Sequence, residues 1–377
     1  MAKRLKPILT TLLTTDMTGL YIHIPFCKRK CPYCDFYSLE GQTEDILNAY
    51  ISRLIKEAQS YSHKNISVDT IYIGGGTPSL LSAEQISALL DALRVSFNVS
   101  KNAEITLEAN PSSVDRIKLC GFLNAGINRL SFGIQSAVDD ELVRLGRLHN
   151  FERAREAVLL ANELGFKNIS ADLMIATEGQ TPARLRYSVL SLAELPVQHI
   201  SCYMLKIEDG TPFSKRNLSL PTDDESAELY LTAVSELKSS SFNQYEISNF
   251  SKEGFESRHN LKYWQSEEYI GLGTAAYSYF EGVRFHNERN LKGYLNSEDI
   301  RIIDEQSVDK AEEYLLLSLR LSKGVSVKKY ISLGGRGELL QRANQLPANL
   351  IKINGDNIHL TAEGFLVSND IIARLQA

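Results

Sequence analysis

The chain has 377 residues, 43% of them hydrophobic and 23% charged, with 23 Gly and 10 Pro. This composition excludes disordered, collagen-like and low-complexity classes, and at roughly 150 residues per domain it predicts two or three domains. The net charge of -5, from 41 basic and 46 acidic residues, excludes a general affinity for nucleic acid or membrane surfaces.

No apolar run approaches the roughly 18 residues that a membrane span needs, so no transmembrane segment is expected. Ile8, Leu9, Leu12 and Leu13 are too few and too interrupted for a signal-peptide core. The expected location is the cytoplasm. Residues 1–18 read as an N-terminal extension, with Met17 as an alternative start.

From Leu20 onward, short β-branched runs alternate with segments of helical period. Strands are predicted at 20–24, 70–74, 104–108, 129–132, 168–173 and 199–203. Amphipathic helices are predicted at 44–62, 82–96, 112–124, 138–161 and 182–194. In the first helix Ile46, Tyr50, Ile51, Leu54, Ile55 and Ala58 recur at i, i+3/i+4. Consecutive βα units build a parallel sheet, open or curved into a partial barrel, over residues 19–205. Residues 206–300 hold one helix at 223–239 and then a Tyr-, Phe-, Asn- and Gly-rich stretch, read as an irregular bridge with short strands. Residues 301–377 read as a small α+β domain of winged-helix type. Its helices fall at 308–321, 326–332, 336–345 and 361–374, and its hairpin is centred on Asn354-Gly355-Asp356. From 305 to 377 this domain carries nine basic and eight acidic residues. That balance argues for a lid or docking role and against DNA reading.

Three of the five cysteines, Cys27, Cys31 and Cys34, lie within eight residues, just after the first strand. Structural zinc sites take four ligands, commonly as two C-x2-C pairs, and no second pair exists here. A [4Fe–4S] cube usually takes four cysteines, so three would leave one iron open to a small chelating molecule. A three-cysteine zinc site and a chance cluster are the alternatives. Cys120 and Cys202 read as small packing residues.

The C-x3-C-x2-C spacing, with Tyr33 before the third cysteine, resembles the radical S-adenosylmethionine (SAM) superfamily. Members carry a [4Fe–4S] cluster whose open iron is chelated by SAM, in a partial (β/α)6 barrel. The polar groups at the other strand ends agree: Gly74-Gly75-Gly76-Thr77-Pro78, Glu108-Ala-Asn-Pro111, Gln135, Leu145-Gly-Arg147-Leu-His149 and Asp172. Ligands of parallel α/β folds bind at those ends. Carboxylates, Gln and Arg there suit ribose hydroxyls, the adenine amine and a carboxylate.

Tyr21-Ile-His-Ile-Pro-Phe-Cys27, Asn128–Ser136, Tyr245-Glu-Ile-Ser-Asn-Phe250 and His259-Asn-Leu-Lys-Tyr-Trp264 narrow the resemblance to the oxygen-independent coproporphyrinogen III oxidase-like family, from about residue 19 to the C-terminus. The resemblance implies cluster ligation by Cys27, Cys31 and Cys34. It implies SAM contacts by Tyr21, Tyr33, Gly75, Gly76, Thr77, Glu108, Gln135, Arg147 and Asp172. The oxidases carry a fourth cysteine two residues after the third, where this chain has Phe36. Phe36 and the His259–Trp264 segment resemble the heme-chaperone branch. That branch is understood to bind heme and pass it to acceptors such as respiratory enzymes, with dimerisation on cluster binding as a further implication. A porphyrinogen-decarboxylating dehydrogenase is the alternative activity. Of seven histidines, His259, beside Tyr263 and Trp264, is the best candidate heme ligand, with a structural histidine capping a loop as the alternative. One departure from the family stands out: Ala176-Thr-Glu178 replaces the usual Gly-Leu-Pro before Gly179-Gln-Thr181.

Overall fold

The computed structural model describes residues 17–297 and 300–376. The expected N-terminal extension therefore lies, except for Met17 and Thr18, outside the described residues. Six parallel strands form the centre: β1 (Thr18–Ile24), β2 (Ser67–Gly75), β3 (Asn98–Ala109), β4 (Arg129–Gln135), β5 (Ile169–Ile175) and β6 (His199–Met204). Each pairs in parallel with the next in chain order. Between them run α1 (Glu44–Gln59), α2 (Ala83–Ser96), α3 (Arg116–Ala125), α4 (Asp139–Arg144), α5 (Phe151–Glu163) and α6 (Pro182–Ala193). Sequential order with crossovers of one hand places every helix on one face and curves the sheet about the other. This is the expected partial barrel.

The alternation along each strand decides which face is which. Leu20, Ile22 and Ile24 are fully buried in the hydrophobic core, as are Leu130, Phe132 and Ile134. Their alternates, Tyr21 and His23 on β1 and Arg129, Ser131 and Gly133 on β4, line the concave face. The lumen is therefore polar, while the helix-covered face is apolar. Side-chain caps start the helices cleanly: Ser82 and Gln85 form a capping box on α2, and Asp115, Asn150 and Thr181 cap α3, α5 and α6.

The helix predicted over 138–161 is two helices. The break at Leu145–Asn150 contains Gly146 at φ +72° and ends α4 with a bond from the Arg147 amide to the Leu142 carbonyl (2.9 Å). That break delivers Arg147 to the lumen.

After α7 (Asp223–Ser239), the stretch expected to be an irregular bridge is more ordered than its composition indicates. It supplies β7 (Asn243–Glu246), β8 (Asn249–Ser251), α8 (Arg258–Trp264), β9 (Tyr269–Leu272), β10 (Tyr277–Phe280) and β11 (Val283–Asn287), and β12 (Arg301–Glu305) follows. The twelve strands run β12-β11-β10-β9-β1-β2-β3-β4-β5-β6-β8-β7. β9 adds in parallel beside β1, and β8 adds antiparallel beside β6. The sheet ends at β12 and β7 and stays open. α8 crosses the floor of the barrel, where the His259 and Arg258 amides meet Glu104 of β3.

The C-terminal part packs on the same continuous core, which runs from Leu20 to Leu375. It has helices Lys310–Ser318, Val327–Ser332 and Leu339–Ala343, and a three-stranded sheet of Val325–Ser326, Ile351–Asn354 and Asn357–Leu360. The Asn354–Asn357 register leaves Gly355 and Asp356 as a two-residue turn. The last predicted helix breaks at Val367 into Ala362–Leu366 and Ser368–Gln376. Among the described residues no helix is long and apolar enough to cross a membrane.

Candidate functional site

β1 delivers the chain into the cysteine loop at the C-terminal face. Phe26 and Cys27 pair in parallel with Leu39 and Glu40, and the Leu39 amide donates to the Pro25 carbonyl (2.7 Å). The intervening residues are thereby closed into a loop with a fixed base. Phe26 anchors it from below, edge-on to the Tyr50 ring with centroids 5.1 Å apart. The Cys34 amide turns back onto the Cys31 carbonyl (3.0 Å). All five cysteines are free thiols, and the three in the loop are half-buried. Burial pushes the Cys27 and Cys34 thiols up.

Two side chains from other strand ends reach the sulfurs. The Thr77 hydroxyl donates to Cys27 Sγ (3.5 Å), and the Arg147 guanidinium donates to Cys31 Sγ (3.3 Å). Tyr33 packs in a small cluster with Leu145, Met174 and Phe213, its ring 6.1 Å from that of Phe213. Among the described residues no three His, Cys, Asp or Glu side chains converge on a single metal ion. Zinc would need its thiolates about 2.3 Å from one centre. Three thiols on one loop are the donor type and number that a cube with one open iron takes.

The glycines after β2 are required by contact. A Cβ on Gly75, whose φ is +112°, would sit 2.6 Å from the His23 ring, and one on Gly76 would sit 2.7 Å from the Phe26 carbonyl oxygen. The Gly76 and Thr77 amides donate to Ile24 and Phe26 (both 2.8 Å), so this turn is stitched to the cysteine loop. His23 Nε2 donates to the Tyr37 carbonyl (2.8 Å), which leaves Nδ1 to accept from the Tyr21 hydroxyl (3.0 Å). Burial lowers the His23 pKa to about 4, so the ring is neutral.

Glu108, at the end of β3, accepts from the Tyr72 hydroxyl (2.8 Å) and from the Gly75 amide (3.0 Å). Burial raises its pKa to about 7 against those bonds, and the nearby Asp172 adds to the rise. Asp172 is raised by burial too, and accepts from Ser131 (3.2 Å). Gln135 ends β4 at φ +80°, beyond a register shift between Gly133 and Gln135. Arg147 donates to the Gly133 carbonyl (2.6 Å). Tyr21 on β1, Gly75 at the end of β2, Glu108 on β3, Gln135 on β4 and Asp172 on β5 thus lie on successive strands of the open barrel, and Arg147, just after α4, reaches the Cys31 sulfur.

His259 lies elsewhere. It is 1% exposed, in the floor. Its Nδ1 bonds the Thr70 hydroxyl and its Nε2 the Tyr263 hydroxyl (2.8 Å each), and its ring stacks on Tyr72 at 5.4 Å. Burial lowers its pKa to about 3. Both ring nitrogens are thus engaged, and the ring backs Tyr72. Sequence reading missed Tyr72, His23 and Arg129. The signal was available for Tyr72 and His23, each polar or aromatic between apolar strand neighbours.

An open parallel barrel with three thiols on its first loop and a ring of polar strand ends defines the radical SAM class. The superfamily profile matches residues 21–190. Coproporphyrinogen III oxidase (HemN) from Escherichia coli superposes with a TM-score of 0.83 at 21% identity, covering 96% of this chain and 90% of that one. Among curated relatives, heme chaperone HemW of Bacillus subtilis is 37% identical, covering 94% of this chain and 98% of its own. HemW of Haemophilus influenzae is 36% identical, covering 94% and 96%. The chain belongs to the HemW heme chaperone family.

Proposed function

We propose that this chain is a heme chaperone of the cytoplasm. In this reading Cys27, Cys31 and Cys34 hold a [4Fe–4S] cluster. Tyr21, Tyr33, Gly75, Gly76, Thr77, Glu108, Gln135, Arg147 and Asp172 hold exchangeable SAM beside it. Heme is carried at the same face and passed to an acceptor such as a respiratory enzyme. When bound, the cluster supplies one-electron chemistry. The residues orient SAM and keep water away: the glycine turn admits close approach, and Glu108 and Asp172 suit cationic and hydroxyl groups. Five unpaired cysteines are what a reducing compartment allows. Association of two copies on cluster binding belongs to the same reading.

The observation that carries it is Phe36. Two residues after the third cysteine, where the oxidases have a fourth, this chain presents a phenyl ring that is 68% exposed. Leu148, Tyr203 and Met204, on other turns or strand ends of the C-terminal face, are also exposed by 41–44%. A rim of apolar groups on a polar mouth suits a flat, largely apolar ring.

The test is made on anaerobically reconstituted protein. Hemin titration should give a saturable Soret shift. Coproporphyrinogen III with SAM and reductant should give no protoporphyrinogen. Turnover to protoporphyrinogen without stable heme binding would make the chain a dehydrogenase, the second reading, which the HemN-like fold and the strand-end residues support.

A further inference from the structure

We propose that Arg129 is a receptor for a carboxylate that enters the barrel lumen from its C-terminal face. Arg129 opens β4 and is 2% exposed, one of the largest fully buried side chains of the molecule. Its Nε has no hydrogen-bond partner. Among the described residues no hydrogen bond or ion pair reaches its guanidinium at all. A guanidinium does not shed its charge, and buried arginines are ordinarily paired. Leaving one unpaired is expensive, so a structural role alone is a poor account of it.

The lumen's own carboxylates are committed elsewhere. Glu108 is held by Tyr72 and Gly75. Asp172 is held by Ser131. Glu104 accepts the Arg258 and His259 amides. The positive charge of Arg129 still acts on this wall: it opposes the burial-driven rise of the Glu108 and Asp172 carboxyls, and it adds to the burial that lowers the His199 pKa. Beside it, the Thr106 hydroxyl, on the residue directly opposite Arg129 in the β3–β4 register, is also buried without a partner. A forked cation beside a free hydroxyl is the donor set for a carboxylate.

The carboxylate must sit on an arm, because Arg129 lies one ladder step deeper than Ser131, below Glu108 and Asp172. Porphyrin propionates are such arms, and that assignment rests on the heme-carrier reading above. The methionyl carboxylate of SAM is the other source of the same chemistry.

The experiment compares the full-length protein with Arg129→Gln and Arg129→Lys. The probes are protoporphyrin IX, its dimethyl ester and SAM, with thermal melts of the ligand-free proteins. Iron-free porphyrin removes any axial ligand from the comparison. Wild type should bind the diacid at least tenfold more tightly than the diester. Arg129→Gln should abolish that preference while the diester and SAM affinities stay within twofold. The ligand-free variant should melt no lower than wild type, since an unpaired buried charge has been removed; a structural arginine would give the opposite shift. Arg129→Lys, which keeps the charge without the fork, should recover part of the preference. If Arg129→Gln weakens SAM instead, the receptor stands and the carboxylate is the methionyl one. A preference that survives in Arg129→Gln with SAM unchanged, or equal affinity of wild type for diacid and diester with SAM unchanged in Arg129→Gln, overturns the proposal. Failure of either porphyrin to bind wild type sinks the heme-carrier reading alone, and the SAM arm then decides Arg129.

Discussion

Arg147 donates one terminal N–H to the Cys31 sulfur (3.3 Å) and another to the Gly133 carbonyl (2.6 Å). One side chain thus joins the cysteine loop after β1 to the end of β4, and places a fixed positive charge on one sulfur.

Hydrogen bonds to cluster sulfurs favour the reduced, more negative state. Arg147→Met should therefore lower the reduction potential of the reconstituted protein. A bond worth about 1 kcal/mol more to the reduced state corresponds to roughly 40 mV for one electron. An EPR-monitored redox titration reads it. An unchanged potential would mean that the sulfur contact does not survive cluster binding.

Glu108 gives a pH dependence whose sign can be worked out. Its folded pKa, about 7, lies above the ordinary 4.5. The folded state therefore binds the extra proton between those values. The resulting stability is full below pH 4.5 and lost as pH rises through 7, about 2 kcal/mol in all after allowance for residual solvent contact. Glu108→Gln lacks this dependence. In cluster-free protein, the melting temperature of Glu108→Gln relative to wild type should rise steadily from pH 5 to pH 8. A gap that stays constant would place Glu108 in an ordinary aqueous setting.

Ala176 sits at φ +57°, at the first position where the family's Gly-Leu-Pro is replaced. Its amide is held by Gln180 Oε1 (2.9 Å), so the turn survives without glycine at the expense of a left-handed alanine. Ala176→Gly should stabilise the protein by about 0.5–1 kcal/mol, a rise of about 1–2 °C in a thermal melt. A lower melting temperature would show that the backbone there is unstrained.

His259→Ala separates support from ligation. Loss of two buried hydrogen bonds and of ring packing should cost about 2–4 kcal/mol. The Soret band of the heme-loaded variant should match wild type. A lost Soret band with unchanged stability would restore His259 as the heme ligand.

Much of this architecture is legible along the chain, because its determinants are local. The alternation Leu20, Ile22, Ile24 against Tyr21, His23 marks β1, and three cysteines in eight residues mark the loop. The missing parts depend on distant partners. Nothing near Tyr269–Leu272 says that it will lie beside Thr18–Ile24, so those strands read as irregular. Helical period ran through Leu145–Asn150, where Gly146 and the capping Asn150 are the local signals of a break, and that break is what aims Arg147. His259 drew attention by its aromatic neighbours. One of those neighbours, Tyr263, bonds one ring nitrogen, and Thr70, distant in sequence, bonds the other.

The parallel pairing of β1 with β9 has a consequence for the order of assembly. Gly19 pairs with Tyr269 and Ile22 with Leu272, a closure spanning about 250 residues. A chain growing from its N-terminus therefore exposes its three thiols long before the strand that carries them gains its second neighbour. Closing so long a loop is slow in the manner of other non-local sheet contacts. Iron and sulfide delivered before residue 272 has emerged would meet a loop rooted on a sheet edge, so the proposed cluster would be expected to enter after translation has passed β9.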